Sequence, residues 1–131
     1  MLTFFFVYIW NMNENTIGCI AEYHFAVEAM KRGFFVSFPL LDASPYDCVL
    51  DTGKDFKKIQ IKSVTKDKEV IRSFLKKTNG KAYSIKEVDY FAVYVQHHNG
   101  FYVFKNNGKI KSITLGKNID TKKYFNNFVF Q

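Results

Sequence analysis

The sequence contains little cysteine, and this narrows the kinds of protein it can be. Only two of its 131 residues are cysteines, Cys19 and Cys48, which is too few for the disulfide framework of a small secreted domain. Neither thiol has another metal ligand at a useful spacing, so a cysteine-based metal centre is not indicated. The simplest interpretation is a pair of reduced thiols in a cytoplasmic protein.

Long hydrophobic runs are also lacking. Residues 1–10 are almost wholly apolar, but about 20 apolar residues are needed to cross a bilayer. The segment has neither a basic start nor a clear cleavage site, so it does not fit a signal peptide. Residues 1–11 are therefore an extra edge strand, a hydrophobic segment packed on the domain, or an over-extended start with Met12 as the true first residue. A membrane-associated protein would rest on this segment alone, so we predict no membrane partner.

Acidic residues are too few to balance the basic ones. Lysine and arginine number 19 against 12 aspartates and glutamates, which gives a net charge of +7. Such an excess favours polyanionic partners, of which nucleic acid is the first to consider. Hydrophobic residues make up 47% of the chain, which argues against disorder. Because the chain has no internal repeat and no linker, we predict one domain over residues 12–131.

The most informative pattern lies near the middle of the chain. Asp47 follows a turn, and about a dozen residues later Gln60 and Lys62 alternate with Ile59 and Ile61. Alternate side chains of a strand share a face, so the isoleucines can enter a core while Gln60 and Lys62 stand together on the other face. If the strand that begins near Asp47 pairs with this one, Asp47, Gln60 and Lys62 converge.

Those three side chains suit metal-assisted hydrolysis of a phosphodiester. Carboxylate and amide oxygens hold a hard cation such as Mg²⁺. A lysine beside the cation can orient a water molecule or neutralise developing negative charge.

The ordered set of motifs resembles the PD-(D/E)xK nuclease superfamily. The similarity is greatest to its branch of small endonucleases that carry Gln in place of the second acid, a branch related to a group I intron homing endonuclease. The resemblance covers about residues 15–105 and rests on these segments: Gly18-x-x-Ala21-Glu22, Lys31-Arg32-Gly33-Phe34, Ser44-Pro45-Tyr46-Asp47, Ile59-Gln60-Ile61-Lys62 and Val88-Asp89-Tyr90-Phe91-Ala92-Val93-Tyr94.

The resemblance implies an α/β fold with a restriction-endonuclease-like core, in which a mixed β-sheet is joined by an N-terminal helix and a short C-terminal helix. The sequence predicts a first helix that is capped by Asn15 or Thr16 and ends near Arg32, before Gly33. A last helix is predicted to begin at Asp120 and to run to about Phe128. Strands are predicted over residues 34–38, 46–50, 56–64, 69–75, 90–95, 101–104 and 112–115.

Glu22 has two interpretations. By helical spacing it shares a largely apolar face with Phe25 and Ala29, where a carboxylate is costly unless something compensates it. It is either an acid at the rim of the core, paired with a lysine, or a carboxylate that points at a metal or at Lys62. The resemblance favours the second interpretation.

The resemblance also implies the roles of the site residues. Asp47 supplies a carboxylate to Mg²⁺, for which Mn²⁺ can substitute, and the Gln60 side chain and the Ile61 backbone carbonyl add neutral oxygens. Glu22 binds the metal through water or completes a second site, and Lys62 positions the attacking water. Gln60 stands where the superfamily usually has an acid, which removes a negative charge and should weaken metal binding. The sequence leaves open whether Lys62 also accepts a proton.

A basic segment begins at the proposed catalytic strand. Residues 54–86 contain eleven lysines and arginines against three acids. Lysine-rich stretches are usually solvated surface, but phosphate contacts here would give salt-dependent binding to DNA. The tyrosines nearby are expected in the core or on strand faces rather than on bases. The candidate DNA-binding residues are Lys58, Ser63, Lys66, Lys68, Arg72, Lys76, Lys77 and Lys81.

The leading hypothesis is therefore a Mg²⁺-dependent DNA endonuclease that acts as a homo-oligomer, either a dimer or a tetramer. The first alternative is a DNA-binding module of the same fold with little cleavage. The second is a structure-selective nuclease similar to a Holliday-junction resolvase. Metal-dependent cutting separates the first alternative, and a preference for branched DNA identifies the second.

Overall fold

The computed structural model describes residues 12–131, so the three interpretations of residues 1–11 lie outside the described part of the chain. Residues 12–131 form one α-helix, α1 (Glu14–Lys31), and seven strands. The strands are β1 (Phe35–Ser37), β2 (Cys48–Asp51), β3 (Phe56–Val64), β4 (Val70–Phe74), β5 (Tyr90–Val95), β6 (Gly100–Lys105) and β7 (Ser112–Gly116), and short 3₁₀ helices cover Gln96–His98 and Asp120–Tyr124.

Helix α1 begins slightly earlier than the sequence predicts. Asn13 is the N-cap, and its side-chain oxygen accepts a hydrogen bond of 2.8 Å from the backbone N–H of Thr16. The prediction of Asn15 or Thr16 as the cap is wrong because both residues already lie inside the helix. The predicted stop at Gly33 is confirmed, since this glycine has φ of +90°, a conformation that other residues rarely adopt.

The main sheet has five strands in the order β1-β2-β3-β5-β6. Strands β3 and β5 are parallel, with Ile61 opposite Ala92, and all other neighbours are antiparallel. The predicted mixed sheet is therefore confirmed. Its central strand is β3, which carries the Gln60-Ile61-Lys62 motif.

A core lies on each face of the main sheet. On one face, α1 packs Phe25 and Ala29 against Ile59 and Ile61 of β3. On the other face, β4 and β7 form a separate two-stranded sheet, whose inward residues pack against Phe91, Val93 and Val95 of β5. The molecule thus has three layers, with β3 and β5 in the middle one. No helix within residues 12–131 is long and apolar enough to cross a membrane.

The C-terminal helix is shorter than predicted. It is a 3₁₀ helix over Asp120–Tyr124, and its N-cap is Ile119, which makes no side-chain capping bond. The chain leaves the helix because Asn126 adopts a left-handed conformation with φ of 50°. The Asn126 side chain then accepts a 3.0 Å bond from the Phe101 N–H, which ties this segment to β6. Phe128 is nevertheless buried, and its ring stacks 5.4 Å from that of Phe25.

Replacement of Phe25 by alanine should destabilise the protein strongly. Phe25 is 0% exposed at the contact between α1 and the sheet, and the loss of such a ring costs about 3–5 kcal/mol of unfolding free energy. Urea denaturation measures the change. The matched control is Val27→Ala on the same helix, because Val27 is 44% exposed and its loss should change stability by no more than about 0.5 kcal/mol. Equal losses in both variants would contradict the assignment of this core.

Candidate active site

Asp47 is fixed against β3 at the point where β2 begins. Its backbone N–H donates to the Ile59 carbonyl at 2.8 Å, and its carboxylate Oδ2 accepts a 2.7 Å bond from the Ile61 N–H. The side chain of Asp47 therefore takes the place of the next backbone acceptor in the antiparallel ladder. The predicted pairing of the Asp47 segment with the strand of Gln60 and Lys62 is confirmed.

The Ile61 carbonyl lies on the same side of β3 as Asp47. In an antiparallel ladder, the N–H and C=O of one residue point toward the same neighbouring strand. Because the Ile61 N–H points to the Asp47 carboxylate, the Ile61 carbonyl also faces the space just before the start of β2. A backbone oxygen and a carboxylate thus face the same space.

Glu22 reaches this space from helix α1, on the other side of Asp47. Its carboxyl lies against the Asp47 carboxyl, and burial together with the Asp47 charge raises the pKa of Glu22 to about 7. The ion pairs formed within residues 12–131 include none between Glu22 and a lysine. The interpretation of Glu22 as an acid paired with a lysine is therefore wrong, and its partner is a second acid.

The two acids titrate as a pair. The pKa of Asp47 is raised, because the effect of burial outweighs the lowering by the Ile61 N–H, the Glu22 carboxyl and the charge of Lys62. Two negative charges in contact disfavour each other, so the pair retains one proton above the pH at which carboxyls usually lose it. A cation bound beside the two acids would stabilise the charged form of both carboxyls.

Lys62 and Gln60 stand on the face of β3 opposite α1. They lie opposite Val93 and Phe91 of β5, so they share the face covered by the smaller sheet. The charge of Lys62 acts on Asp47, which brings Lys62, Asp47 and Glu22 into one electrostatic unit. Gln60 is 9% exposed, and the side-chain hydrogen bonds found within residues 12–131 leave its amide oxygen without a protein donor.

An open pocket of about 240 Å³ adjoins the two acids. Among the lining residues that were not predicted as site residues, two polar ones bear on the acids. The charge of Asp42 contributes to the raised pKa of Glu22, and Ser44 Oγ is buried without a hydrogen-bond partner in the described part of the chain. Both residues lie in the connection between β1 and β2. Ser44 belongs to the Ser44-Pro45-Tyr46-Asp47 segment, whereas the position of Asp42 shortly before this segment was its only sequence signal.

The candidate DNA-binding residues separate into two groups. Lys66, Lys68, Arg72, Lys76 and Lys81 are exposed, and Ser63 is half-buried beside Lys62. The other two lysines are held by protein groups. Lys77 pairs with Glu87 at 2.9 Å, and the ammonium of Lys58 donates to the Lys86 carbonyl.

The fold and the acid-lysine arrangement define a restriction-endonuclease-like nuclease. The structure of a bacterial homing endonuclease, I-Ssp6803I, is similar with a TM-score of 0.70 and 25% sequence identity, over 87% of this chain and 89% of that chain. Hjc, a Holliday junction resolvase from Archaeoglobus fulgidus, matches with a TM-score of 0.49 and 15% identity, over 76% of this chain and 84% of that chain. No curated protein sequence matches the chain.

The profile of the PD-(D/E)XK endonuclease family matches residues 12–127, and the chain belongs to this family. The predicted superfamily, fold class and DNA endonuclease function are therefore confirmed at the level of the family. Nucleases of this family generally use divalent metal ions.

The shared proton predicts how stability depends on pH in the absence of divalent metal. Because folding raises the pKa of Glu22 from 4.5 to about 7, its contribution to stability is complete below the unfolded pKa and is lost as pH rises through 7. Glu22→Gln should therefore remove a fall in unfolding free energy between about pH 5 and 8. Urea denaturation in EDTA across this range measures the difference between the two proteins.

The matched control is Glu28→Gln on the same helix. Lys31 and Arg32 hold the pKa of Glu28 below its usual value, so this carboxyl titrates below the tested range and the wild-type slope should persist. His24 also titrates, since burial lowers its pKa, and the charge of Glu28 acts on it, so all three proteins are compared in a His24→Gln background. Identical slopes in wild type and Glu22→Gln would contradict the shared proton.

Proposed function

We propose that this chain is a Mg²⁺-dependent DNA endonuclease whose catalytic residues are Glu22, Asp47, Gln60 and Lys62. The observation that carries the proposal is the carboxyl pair of Glu22 and Asp47, held at the start of β2 beside the strand that bears Lys62. In this proposal residues 12–131 act as one nuclease domain. The family profile over residues 12–127 supports that extent.

The residues around the carboxyl pair fit a hard divalent cation. Asp47, the Gln60 amide oxygen and the Ile61 backbone carbonyl would hold it directly, and Glu22 would do so directly or through water. All of these ligands are oxygens, which suits Mg²⁺, and Mn²⁺ can take its place. When bound, such a cation supplies Lewis acidity and a bound water of lowered pKa.

The chain's own groups then divide the remaining work. The Ile61 N–H fixes one oxygen of Asp47, which leaves its other oxygen to face the site. The ammonium of Lys62 donates a hydrogen bond that orients the attacking water, and it stabilises the negative charge that develops on the phosphate. Loss of the proton shared by Glu22 and Asp47 makes both carboxylates available, so activity should rise with pH through neutrality.

The exposed cations provide a surface for the DNA backbone. Lys66, Lys68, Arg72, Lys76 and Lys81 follow Lys62 in the sequence and are not opposed by an equal number of acids. Each phosphate contact releases counterions, so binding should weaken steeply with salt. One active site per chain cuts one strand, and we therefore propose a homo-oligomer, a dimer or a tetramer, for cleavage of both strands.

Alanine at Asp47 or at Lys62 should abolish cleavage. Each substitution removes a charged side chain on which the reaction at the phosphate depends, and this is expected to lower the rate by at least about 100-fold. The assay follows supercoiled plasmid, linear duplex and a four-way junction in Mg²⁺, Mn²⁺ or EDTA. The control is Lys109→Ala, an exposed lysine outside the basic segment, which should cut like the wild type.

The same assay separates the alternatives. Metal-dependent cutting that is lost in Asp47→Ala and Lys62→Ala supports the proposed site. Faster cutting of the junction than of linear duplex would instead indicate a structure-selective nuclease. Salt-sensitive DNA binding by all variants, with no cutting of any substrate, would favour the binding module.

Divalent metal should stabilise the folded protein more at pH 8 than at pH 6. The proton shared by Glu22 and Asp47 competes with the cation at the lower pH, and a ligand that binds only the folded state raises the midpoint of thermal unfolding. Thermal scans with Mg²⁺, Mn²⁺ or EDTA measure this shift. Asp47→Asn should lose the shift, whereas Glu28→Gln should keep it. A shift of equal size in Asp47→Asn would place the cation elsewhere.

A further inference from the structure

Phe74 is a large apolar side chain that the fold turns outward. Strand β4 alternates strictly, so that Ile71 and Ser73 face the core while Arg72 and Phe74 face outward. Phe74 is 58% exposed. The opposite face of the same strand contributes to the core against β5, so the strand is firmly placed and the outward position of Phe74 follows from its register.

Two positive charges lie near the Phe74 ring. The Arg72 guanidinium carbon lies 5.5 Å from the ring centroid, and the Lys76 ammonium lies 5.8 Å from it. Arg72 is oriented by two hydrogen bonds to Ser112 Oγ on β7, of 3.0 and 3.2 Å. An exposed aromatic ring thus lies close to two cations, one of which is held in place by the neighbouring strand.

The ring also borders the groove that contains Lys62. This groove of about 280 Å³ is lined by Lys62, Ser63, Val64, Thr65, Lys66, Arg72, Ser73 and Phe74. Three of these residues are cations and none is an acid. The only large aromatic side chain of the groove is therefore placed beside the proposed catalytic lysine, in a setting that is complementary to a polyanion.

We propose that Phe74 stacks on a base of the bound DNA next to the scissile phosphate, while Arg72 and Lys76 neutralise the flanking phosphates. An exposed aromatic ring close to cations suits a nucleotide, because every base offers a π-face and every linkage a negative charge. The base must be partly unstacked from its neighbour for the ring to reach it. This inference rests on the proposed function and adds a contact with a base to it.

The test is equilibrium binding of DNA to wild type, Phe74→Ala, Phe74→Leu and Phe74→Trp in EDTA. The probes are a duplex of mixed sequence and a single strand of equal length. Phe74→Ala and Phe74→Leu should bind about 10-fold more weakly, and Phe74→Trp should bind like the wild type, because stacking needs a ring. The slope of affinity against salt should stay unchanged in all three variants, whereas Arg72→Gln should lower it by about one.

Photocrosslinking identifies the contact directly. DNA that contains iododeoxyuridine should crosslink to Phe74, which lies in the tryptic peptide between Arg72 and Lys76. The matched control is Phe35→Ala. Phe35 is 75% exposed on β1 and lies outside the groove, so this variant should keep both the affinity and the crosslink.

Four results would overturn the inference. Unchanged binding by Phe74→Ala is the first, and full affinity of Phe74→Leu is the second. The third is a set of crosslinks that map to Phe35 instead of Phe74. The fourth is a change in the sedimentation of Phe74→Ala with unchanged DNA affinity, which would indicate a protein interface. If the wild type cuts DNA and any of these holds, the contact with a base fails while the nuclease stands. If the wild type neither binds nor cuts DNA, the proposed function fails as well.

Discussion

The hydrogen bond from the Ile61 N–H to the Asp47 carboxylate is the interaction on which the site depends. It lies where the backbone ladder of β2 and β3 would otherwise continue, and it exchanges a carbonyl acceptor for a carboxylate. The acid is thereby held at a fixed depth beside the central strand. Glu22 approaches it from α1 and Lys62 acts on it from β3, so each of their electrostatic relationships is defined with respect to this one carboxylate.

Two partly buried acids in contact are unfavourable for stability, and the surrounding core must compensate them. The hydrophobic cluster beneath α1 includes Phe25, Leu50 and Ile59, all fully buried, and the burial of such side chains is the favourable contribution that offsets the cost of the acids. The raised pKa of Glu22 has the same cause, because burial beside a second acid disfavours its charged form. Local features that reduce stability are common at functional sites, because a site preorganised for a ligand is unsatisfied without it.

The three-layer arrangement gives the central strand two different surroundings. Ile59 and Ile61 contact the helix layer, whereas Lys62 and its neighbours face the smaller sheet. The acids therefore approach β3 from one side and the cationic groove opens on the other, with the Asp47 carboxylate between them. This division separates the two acids from the proposed DNA surface, whereas Gln60 and Lys62 lie on the side of that surface. It also makes the position of β4 and β7 important, since they form one wall of that groove.

The sequence by itself determined the features that arise from local periodicity. The alternation of Ile59 and Ile61 with Gln60 and Lys62 predicted the two faces of β3, and the glycine at position 33 predicted the end of α1. The partners of individual charges depended on the tertiary structure, in which Glu22 meets Asp47 rather than a lysine and Lys77 is held by Glu87. The exposure of Phe74 on β4 also depended on it. Periodicity describes one element at a time, whereas these outcomes depend on which layer covers each face and on which charges the long-range packing brings within reach.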